Sequence, residues 1–370
     1  MSARRLNILI YTGQFLPRPA PSCVIDGFLR AEITQDAQSG DGFQLTFSLT
    51  KNAIGEYTIL QSGALDPFSR VVLAVEFGAL PIILIDGIVT HHQIDTGKEA
   101  FGATLIVTGK DLSVMMDLTQ QIKKYDNQPD SLIVTQLLAR YARYKLTPMV
   151  MPTLDVPIMV CRTPWQTETD LACIKRLAQR NGYVFHITPL LPGVVRAYFG
   201  PESRAAAPQH AIALNLGGDT NVESIHFSHD AFAPMQVRGH YLDPLTKIVV
   251  PVPAPPFVAV PPLALKPTRA RRQSFLARSA HLPMPNVTRQ AMLAGQSSRD
   301  ALTAEGELEP LRYGGVLKVR GLVGVRGAGL SYDGFYFVRK TTHKVERGKY
   351  LQSFTLCREG TVPTSPVVVP

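Results

Sequence analysis

Eight prolines fall within the 24 residues 244–267, including the run Pro251-Val252-Pro253-Ala254-Pro255-Pro256. Proline fixes its own φ and carries no backbone N–H, so neither a helix interior nor a central strand can pass through such a segment. Extended polyproline geometry is its natural state, which predicts an exposed strap with folded structure on both sides. The length of 370 residues agrees, since about 150 residues per domain gives two or three domains. With 45% hydrophobic and 18% charged residues, the composition excludes global disorder and collagen-like repetition.

Before the strap, Phe43, Leu45, Phe47 and Leu49 alternate with Gln44, Thr46, Ser48 and Thr50. That period of two half-buries a strand. Residues 70–77, 82–93 and 104–109 are further β-branched or apolar runs punctuated by Gly, Pro and Asp, the rhythm of an antiparallel sheet or barrel. The period then changes. Leu112, Met115, Met116 and Ile122 predict a helix capped by Asp111, and a second helix after Asp130 would bury Ile133, Leu137, Leu138 and Tyr141. Pro148, Pro152 and Pro157 mark a linker. A third helix is expected over residues 167–181: Thr167 and Asp170 have capping-box spacing, Leu171, Ile174, Leu177 and Ala178 form the apolar stripe, and Gly182 offers the left-handed exit. A strand follows at 183–187.

Strand patterns resume at 222–227 and 235–242, and past the strap a helix is predicted over 286–302. Leu317, Val319, Val323 and Val325 return to period two, and Asp333-Gly334 reads as a hairpin turn between two strands. The fold class is therefore α+β, mainly β. Five stretches follow: a first β-barrel-like domain (1–110), connecting helices (111–150), an α+β insert (151–235), a strand with the Pro-rich strap (236–285), and a second β-barrel-like domain, completed by earlier strands, with a frayed tail (286–370).

Charge is unevenly placed. From Lys266 onward there are 17 Lys and Arg against 7 Asp and Glu, a balance of +10, whereas residues 1–265 hold 21 against 22. The densest part holds Arg269, Arg271 and Arg272, residues that suit an acidic protein surface or nucleic acid. No interleaved aromatics or nucleic-acid motif accompany them, so a solvated basic loop is the plain reading, contact with an acidic protein neighbour is its alternative, and nucleic acid is not expected. The four cysteines, Cys23, Cys161, Cys173 and Cys357, lie far apart with no CxxC pair, which points to buried free thiols in a reducing compartment rather than to a disulfide or zinc scaffold. The best apolar run, residues 79–85, ends at Asp86 and is too short for a membrane span. Arg4 and Arg5 ahead of Leu6-Asn7-Ile8-Leu9-Ile10 imitate a signal, but Pro17, Pro19 and Pro21 break it.

No nucleophile elbow, HExxH pair or Gly-rich phosphate loop occurs. His91 and His92 are adjacent, and His226 and His229 are three apart; a strand separates both pairs, so no metal site is expected. Glu168 and Asp170 have the acid and base types of a glycosidase pair, but acids at a helix start also complement its exposed N–H groups. Trp165 sits just upstream and would staple that helix. Catalytic, cofactor and metal residues are all expected to be none.

The segment Thr163-Pro164-Trp165-Gln166-Thr167-Glu168-Thr169-Asp170 with Arg176-Leu177-Ala178 and Gly182-Tyr183-Val184-Phe185 resembles the signature of the phage late control protein D family. That family includes the baseplate hub of contractile tails and the N-terminal part of VgrG-type spike proteins. Other stretches are similar in the same order: Ile85-Asp86-Gly87-Ile88-Val89 with Thr108-Gly109-Lys110-Asp111-Leu112, residues 221–234 with Val237-Arg238-Gly239, and residues 329–338 leading through His343 to Phe354-Thr355-Leu356-Cys357-Arg358.

The resemblance implies a structural role rather than catalysis: two tube-protein-like β-barrels per chain and a homotrimer. Its six barrels would adapt a sixfold inner tube to a threefold central spike, alongside other baseplate components. VgrG-type proteins continue into a β-helical needle, which this sequence lacks, so the spike is expected on a separate chain. Assembly would be cytoplasmic, and the product a phage tail or an injection-system baseplate. A carbohydrate-binding or cell-wall-degrading protein using Glu168 and Asp170, and a nucleic-acid binder using the basic end, are the alternative readings.

Overall fold

Phe43, Leu45 and Phe47 lie buried along the strand Gly42–Ser48, as their alternation demands. The computed structural model describes residues 6–77, 80–96, 102–153, 163–243, 246–252, 261–277 and 284–365. The fold is mainly β, with several sheets and few helices. The chain divides into two units, one of residues 1–179, 183–201 and 342–351, the other of residues 180–182, 202–341 and 352–370.

The first unit is built on an antiparallel sheet. From one edge inward its order is Arg18–Pro19, Asn7–Gly13, Arg70–Glu76, Ile82–Asp95, Thr104–Asp111, Gly42–Ser48 and Phe28–Asp36. Arg70 to Val75 are buried without interruption, because this strand is covered on both faces. Gly87 and Gly109 stand beneath the Phe43 ring, where a Cβ would come within 2.9 Å and 2.2 Å of it. Two residues shared with the family-like stretches are thus the space one aromatic fills. Fully buried Arg70 donates from Nε and Nη2 to Asp86 (2.6 and 2.9 Å) and from Nη1 to the carbonyls of Phe15 (2.8 Å) and Tyr144 (2.9 Å). The Gly193 N–H adds a bond to Asp86 Oδ2 at 3.2 Å. One ion pair therefore ties five stretches of chain together.

A second core in this unit joins the helices Asp130–Ala139 and Asp170–Asn181 to the small sheet of Tyr183–Leu191, Val194–Pro201 and Leu146–Val150. Ile133, Leu137 and Leu138 are buried on the first helix, and Leu171, Ile174, Leu177 and Ala178 on the second. Gly182 leaves the latter with φ +68. Pro148, expected in a linker, lies in Leu146–Val150, a parallel edge strand where a missing N–H is tolerated. The expected helix after Asp111 is shorter than its apolar spacing implied. Asp111 does cap it, accepting from the Ser113 N–H at 2.8 Å, but only the 3-10 turn Leu112–Met116 forms. Beyond it, residues 120–125 enter an antiparallel ribbon with 164–169, held by Gln121 N–H to the Glu168 carbonyl (3.1 Å) and Tyr125 N–H to that of Pro164 (3.0 Å). The same pairing removes 167–169 from the third helix, so the Thr167 capping box does not form.

In the second unit the strands run in the order Ser224–His229, Leu302–Leu308, Lys349–Arg358, Gly334–Glu346, Leu322–Arg326 and Gln209–Ala213. Its core contains Ile212, Leu302, Leu308, Leu317, Val323, Tyr336 and Phe354. The helix Met284–Ser297 ends before Leu302, which opens a strand instead. The strands flanking Asp333-Gly334 do pair, but across seven residues, 327–333. Asp333 Oδ1 closes that loop by accepting from the Ala328 N–H at 2.7 Å.

Gly334–Glu346 and Lys349–Arg358 form a hairpin whose tip, Thr342–Leu351, belongs to the first unit. There Arg347 donates to the carbonyls of Phe28 (3.1 Å), Ile25 (3.2 Å) and Asp26 (2.5 Å), satisfying the open end of the helix Ser22–Gly27. His343 is fully buried between Tyr350 Oη (2.9 Å) and Gln35 Oε1 (3.3 Å).

The Pro-rich segment departs from the sequence expectation. Val249–Val252 and Ala264–Pro267 are strands, each at a sheet edge: the first pairs with Met235–Leu242, the second with Gly360–Pro363. Pro251 and Pro267 fit there because an edge strand has one row of N–H groups without ladder partners. Residues 253–260 lie outside the described residues, as does Cys161. Cys23, Cys173 and Cys357 are free thiols, the last two buried. No helix among the described residues is long and apolar enough to cross a membrane.

Candidate functional site

Arg269, Arg271 and Arg272 are all exposed, and Arg272 opens the strand Arg272–Phe275. That strand runs parallel to Met235–Leu242, which pairs on its other side with Val249–Val252. Alternation sorts the three strands into two faces. Met235, Val237 and Gly239 face the helix Met284–Ser297: Val237 packs with Ala291, and a Cβ on Gly239 would come 2.2 Å from Val287 Cγ1. The glycine thus lets helix and sheet approach.

The opposite face has no such cover among the described residues. Arg238, His240 and Leu242 alternate along the central strand, and the register sets Phe275 beside Arg238, Pro251 beside His240 and Val249 beside Leu242. Phe275 is 63% exposed, Val249 55% and the adjoining Ile248 61%. His240 and Phe275 rings lie 5.1 Å apart, centroid to centroid. Arg272 is held by one bond, Nη1 to the Phe232 carbonyl at 3.3 Å. Arg238 lies on this face and Arg272 opposite Met235, while residues 235–277 hold six Lys and Arg against Asp243 as the one acid.

The acids near the third helix have structural employment. Asp170 is buried and accepts from Gln166 Nε2 (2.7 Å), Tyr141 Oη (2.9 Å) and Arg140 Nη1 (3.1 Å to each oxygen). Burial and that carboxylate raise the Tyr141 phenol above its ordinary pKa. Glu168 pairs with Arg176 Nε at 2.7 Å. Gln166 Oε1 also receives the Tyr125 hydroxyl at 2.7 Å, so the underside of the 120–125/164–169 ribbon is a closed hydrogen-bond network. Its upper side presents Ile122 and Trp165, 82% and 53% exposed. Trp165 is therefore a ribbon residue facing outward and does not staple the helix.

His92 Nε2 contacts the Leu65 carbonyl, and His229 Nε2 lies 2.8 Å from Thr268 Oγ1. No three His, Cys, Asp or Glu side chains gather around a metal-sized space among the described residues. A cluster in the second unit gathers charge for a different purpose. Asp300 receives Arg204 through both terminal nitrogens (2.8 and 2.7 Å), Arg339 Nη2 (3.1 Å) and the Cys357 thiol (3.1 Å). Although burial alone would raise its pKa, these partners hold the Asp300 carboxyl well below the ordinary range.

Phe275, Val249 and Ile248 escaped the sequence reading because prolines dominated their surroundings. The available signal was Ile248-Val249-Val250 directly after Lys247, a β-branched run at the start of the supposed strap.

No family model matches the chain. Nor does any curated protein. Solved structures do match over nearly the whole fold. The 43 kDa tail protein of prophage MuSo2 from Shewanella oneidensis superposes with a TM-score of 0.64 at 14% identity, covering 96% of this chain and 98% of its own. The tail protein from Neisseria meningitidis MC58 gives 0.61 at 14% identity, with 97% and 98% covered. The E. coli c3393 protein, a component of the type VI secretion system, gives 0.54 at 11% identity, with 93% and 78% covered. The chain has the fold of these tail and secretion-system proteins.

Proposed function

We propose that the chain is a structural component of a phage-like tail, specifically the baseplate hub of a contractile tail or injection system. The observation that carries this reading is whole-length likeness. Two tail proteins match it over nearly all of both chains, so the entire architecture is shared rather than one recurrent domain. In this reading the chain is a homotrimer. Three chains with two units each present six sheet-based units, enough to seat a sixfold inner tube on one side while keeping threefold symmetry toward a separate spike protein. The barrels expected from the resemblance are assigned to those units. The role is mechanical and not catalytic: Glu168 and Asp170, the sequence's best acid pair, are each engaged by arginine. Assembly takes place in the cytoplasm, and the product is a component of the particle.

Tagging the chain after Pro370 in its host, purifying it gently and imaging the eluate by negative-stain electron microscopy tests the reading. Rods labelled at one end are expected. A small protein without rods, at expression levels that support assembly, overturns it. Light scattering on the chain co-expressed with its spike partner should give the mass of three copies of this chain plus three of the spike.

A further inference from the structure

We propose that the hairpin tip Thr342–Leu351 is an acid-released clasp: when His343 takes up a second ring proton, the tip lets go as a local segment while the rest of the first unit stays folded.

The hydrogen bonds at His343 leave no place for that proton. Gln35 Nε2 donates to the Leu84 carbonyl at 2.8 Å, which turns Gln35 Oε1 toward His343 Nε2 at 3.3 Å. That oxygen can only accept, so Nε2 carries the proton and Nδ1 accepts from the Tyr350 hydroxyl at 2.9 Å. A proton on Nδ1 sets two donors against each other. Turning the hydroxyl round does not repair the clash, because Tyr350 Oη has no other partner among the described residues to take its hydrogen.

Each packed element turns an uncharged group toward the ring. From Lys349–Arg358 it is Tyr350, whose phenol burial keeps neutral by raising its pKa well above the ordinary 10. On Phe28–Asp36, Gln35 shares its side with buried Ile33 and Ala31, whereas Arg30, Glu32 and Asp36 alternate to the other. Along the hairpin Thr341, His343 and Val345 are buried, while Lys340, Lys344, Glu346 and Lys349 are exposed. Ile82–Asp95 contributes the Leu84 carbonyl through Gln35, and its buried acid, Asp86, is held by Arg70. Phe77 packs on Tyr350 with ring centroids 6.4 Å apart.

The tip is built to leave as a piece. Thr342 Oγ1 meets Thr34 Oγ1 at 3.3 Å, and Arg347 caps the helix Ser22–Gly27, contacts that span 308 to 322 positions of chain. Breaking them leaves the hairpin's own turn intact, the pattern of a local opening unit. Docked, the imidazole pKa is lowered by burial to about 3; released, it returns to the ordinary 6.5, so acid favours the open form from there downward.

Hydrogen–deuterium exchange on the whole chain at pH 7 and pH 5, with each rate divided by the chemical exchange rate at that pH, tests the proposal. Peptides from 342–351 should exchange about 25-fold faster at pH 5, the ratio in which the released imidazole binds protons at the two pH values. Arg70–Glu76 and Gly42–Ser48 should keep their protection, and His343→Gln should abolish the change at the tip. Equal acceleration throughout the first unit overturns the proposal, as does a tip unaffected by pH or a pH effect that survives His343→Gln. The comparison between segments of the unsubstituted chain decides the matter even if that variant fails to fold.

Discussion

The two units each bury an arginine completely, and they solve the problem differently. In the first unit Arg70 meets a carboxylate, Asp86, in a two-pronged pair and spends its remaining donor on two carbonyls. Burial pushes the Asp86 carboxyl above its ordinary range, while Arg70 and the Gly193 amide pull it back. In the second unit Arg358 forms no hydrogen-bonded ion pair among the described residues. Its bonds end on the carbonyls of Gly360 (2.8 Å), Asp333 (2.8 Å) and Ser331 (2.9 Å), with the guanidinium 4.4 Å over the Tyr336 ring. Burial there lowers the arginine pKa from its ordinary value. The first arrangement holds strands through charge, so each partner depends on the other. The second uses the arginine as a multi-headed donor for loop carbonyls that no ladder satisfies, and its loss strands no opposite charge.

That contrast can be broken by mutation. Arg70→Met should have the largest effect, about 3–5 kcal/mol in urea unfolding, because it leaves Asp86 buried and unpaired. Adding Asp86→Leu to it should recover part of that loss; a double variant weaker than the single one refutes the charge-pair account. Arg358→Met should cost less, about 2 kcal/mol, as loop carbonyls lose donors but no ion is orphaned.

His343 sharpens the comparison from the hairpin tip. Gln35 Oε1 can only accept, so Nε2 carries the proton and Nδ1 accepts from the Tyr350 hydroxyl. Burial lowers the His343 pKa to about 3 from the ordinary 6.5. The unfolded chain therefore takes up a proton below 6.5 that the folded chain refuses until about 3. Its contribution to stability is whole above pH 6.5 and declines as pH falls through that window. Urea midpoints should drop between pH 7 and pH 5, and His343→Gln, which hydrogen-bonds without titrating, should flatten much of the drop. Trp165→Ala is expected to be the smallest perturbation, within about 0.5 kcal/mol, because the side chain stands outward from a ribbon fixed from beneath. A larger destabilisation would show that the ribbon's upper side is packed.

Where a segment's pattern is local, it was legible in advance. Gly42–Ser48, Arg70–Glu76, Met235–Leu242 and the stripe Leu171, Ile174, Leu177 and Ala178 all appear where periodicity put them. The basic residues around Arg269 were equally visible, since charge density is a property of composition. Errors came where a distant segment competed for the backbone. Residues 164–169 have helix-start chemistry, yet residues 120–125, more than forty positions earlier, claim their hydrogen bonds. Val249–Val252 looked like strap because prolines bar a central strand, but an edge asks less of the backbone.

The sequence by itself determined which stretches alternate, which carry an amphipathic stripe, and where positive charge collects, because each depends on neighbours within a few residues. Only the tertiary structure decided that the hairpin tip Thr342–Leu351 completes the first unit, that Phe43 fills the space of Gly87 and Gly109, and that Phe275 joins Val249 and Leu242 on one sheet face. Those juxtapositions rest on register and on closing long loops. The entropy of such closure grows only slowly with length, so one sequence permits many partners, and burial and unpaired backbone groups choose among them.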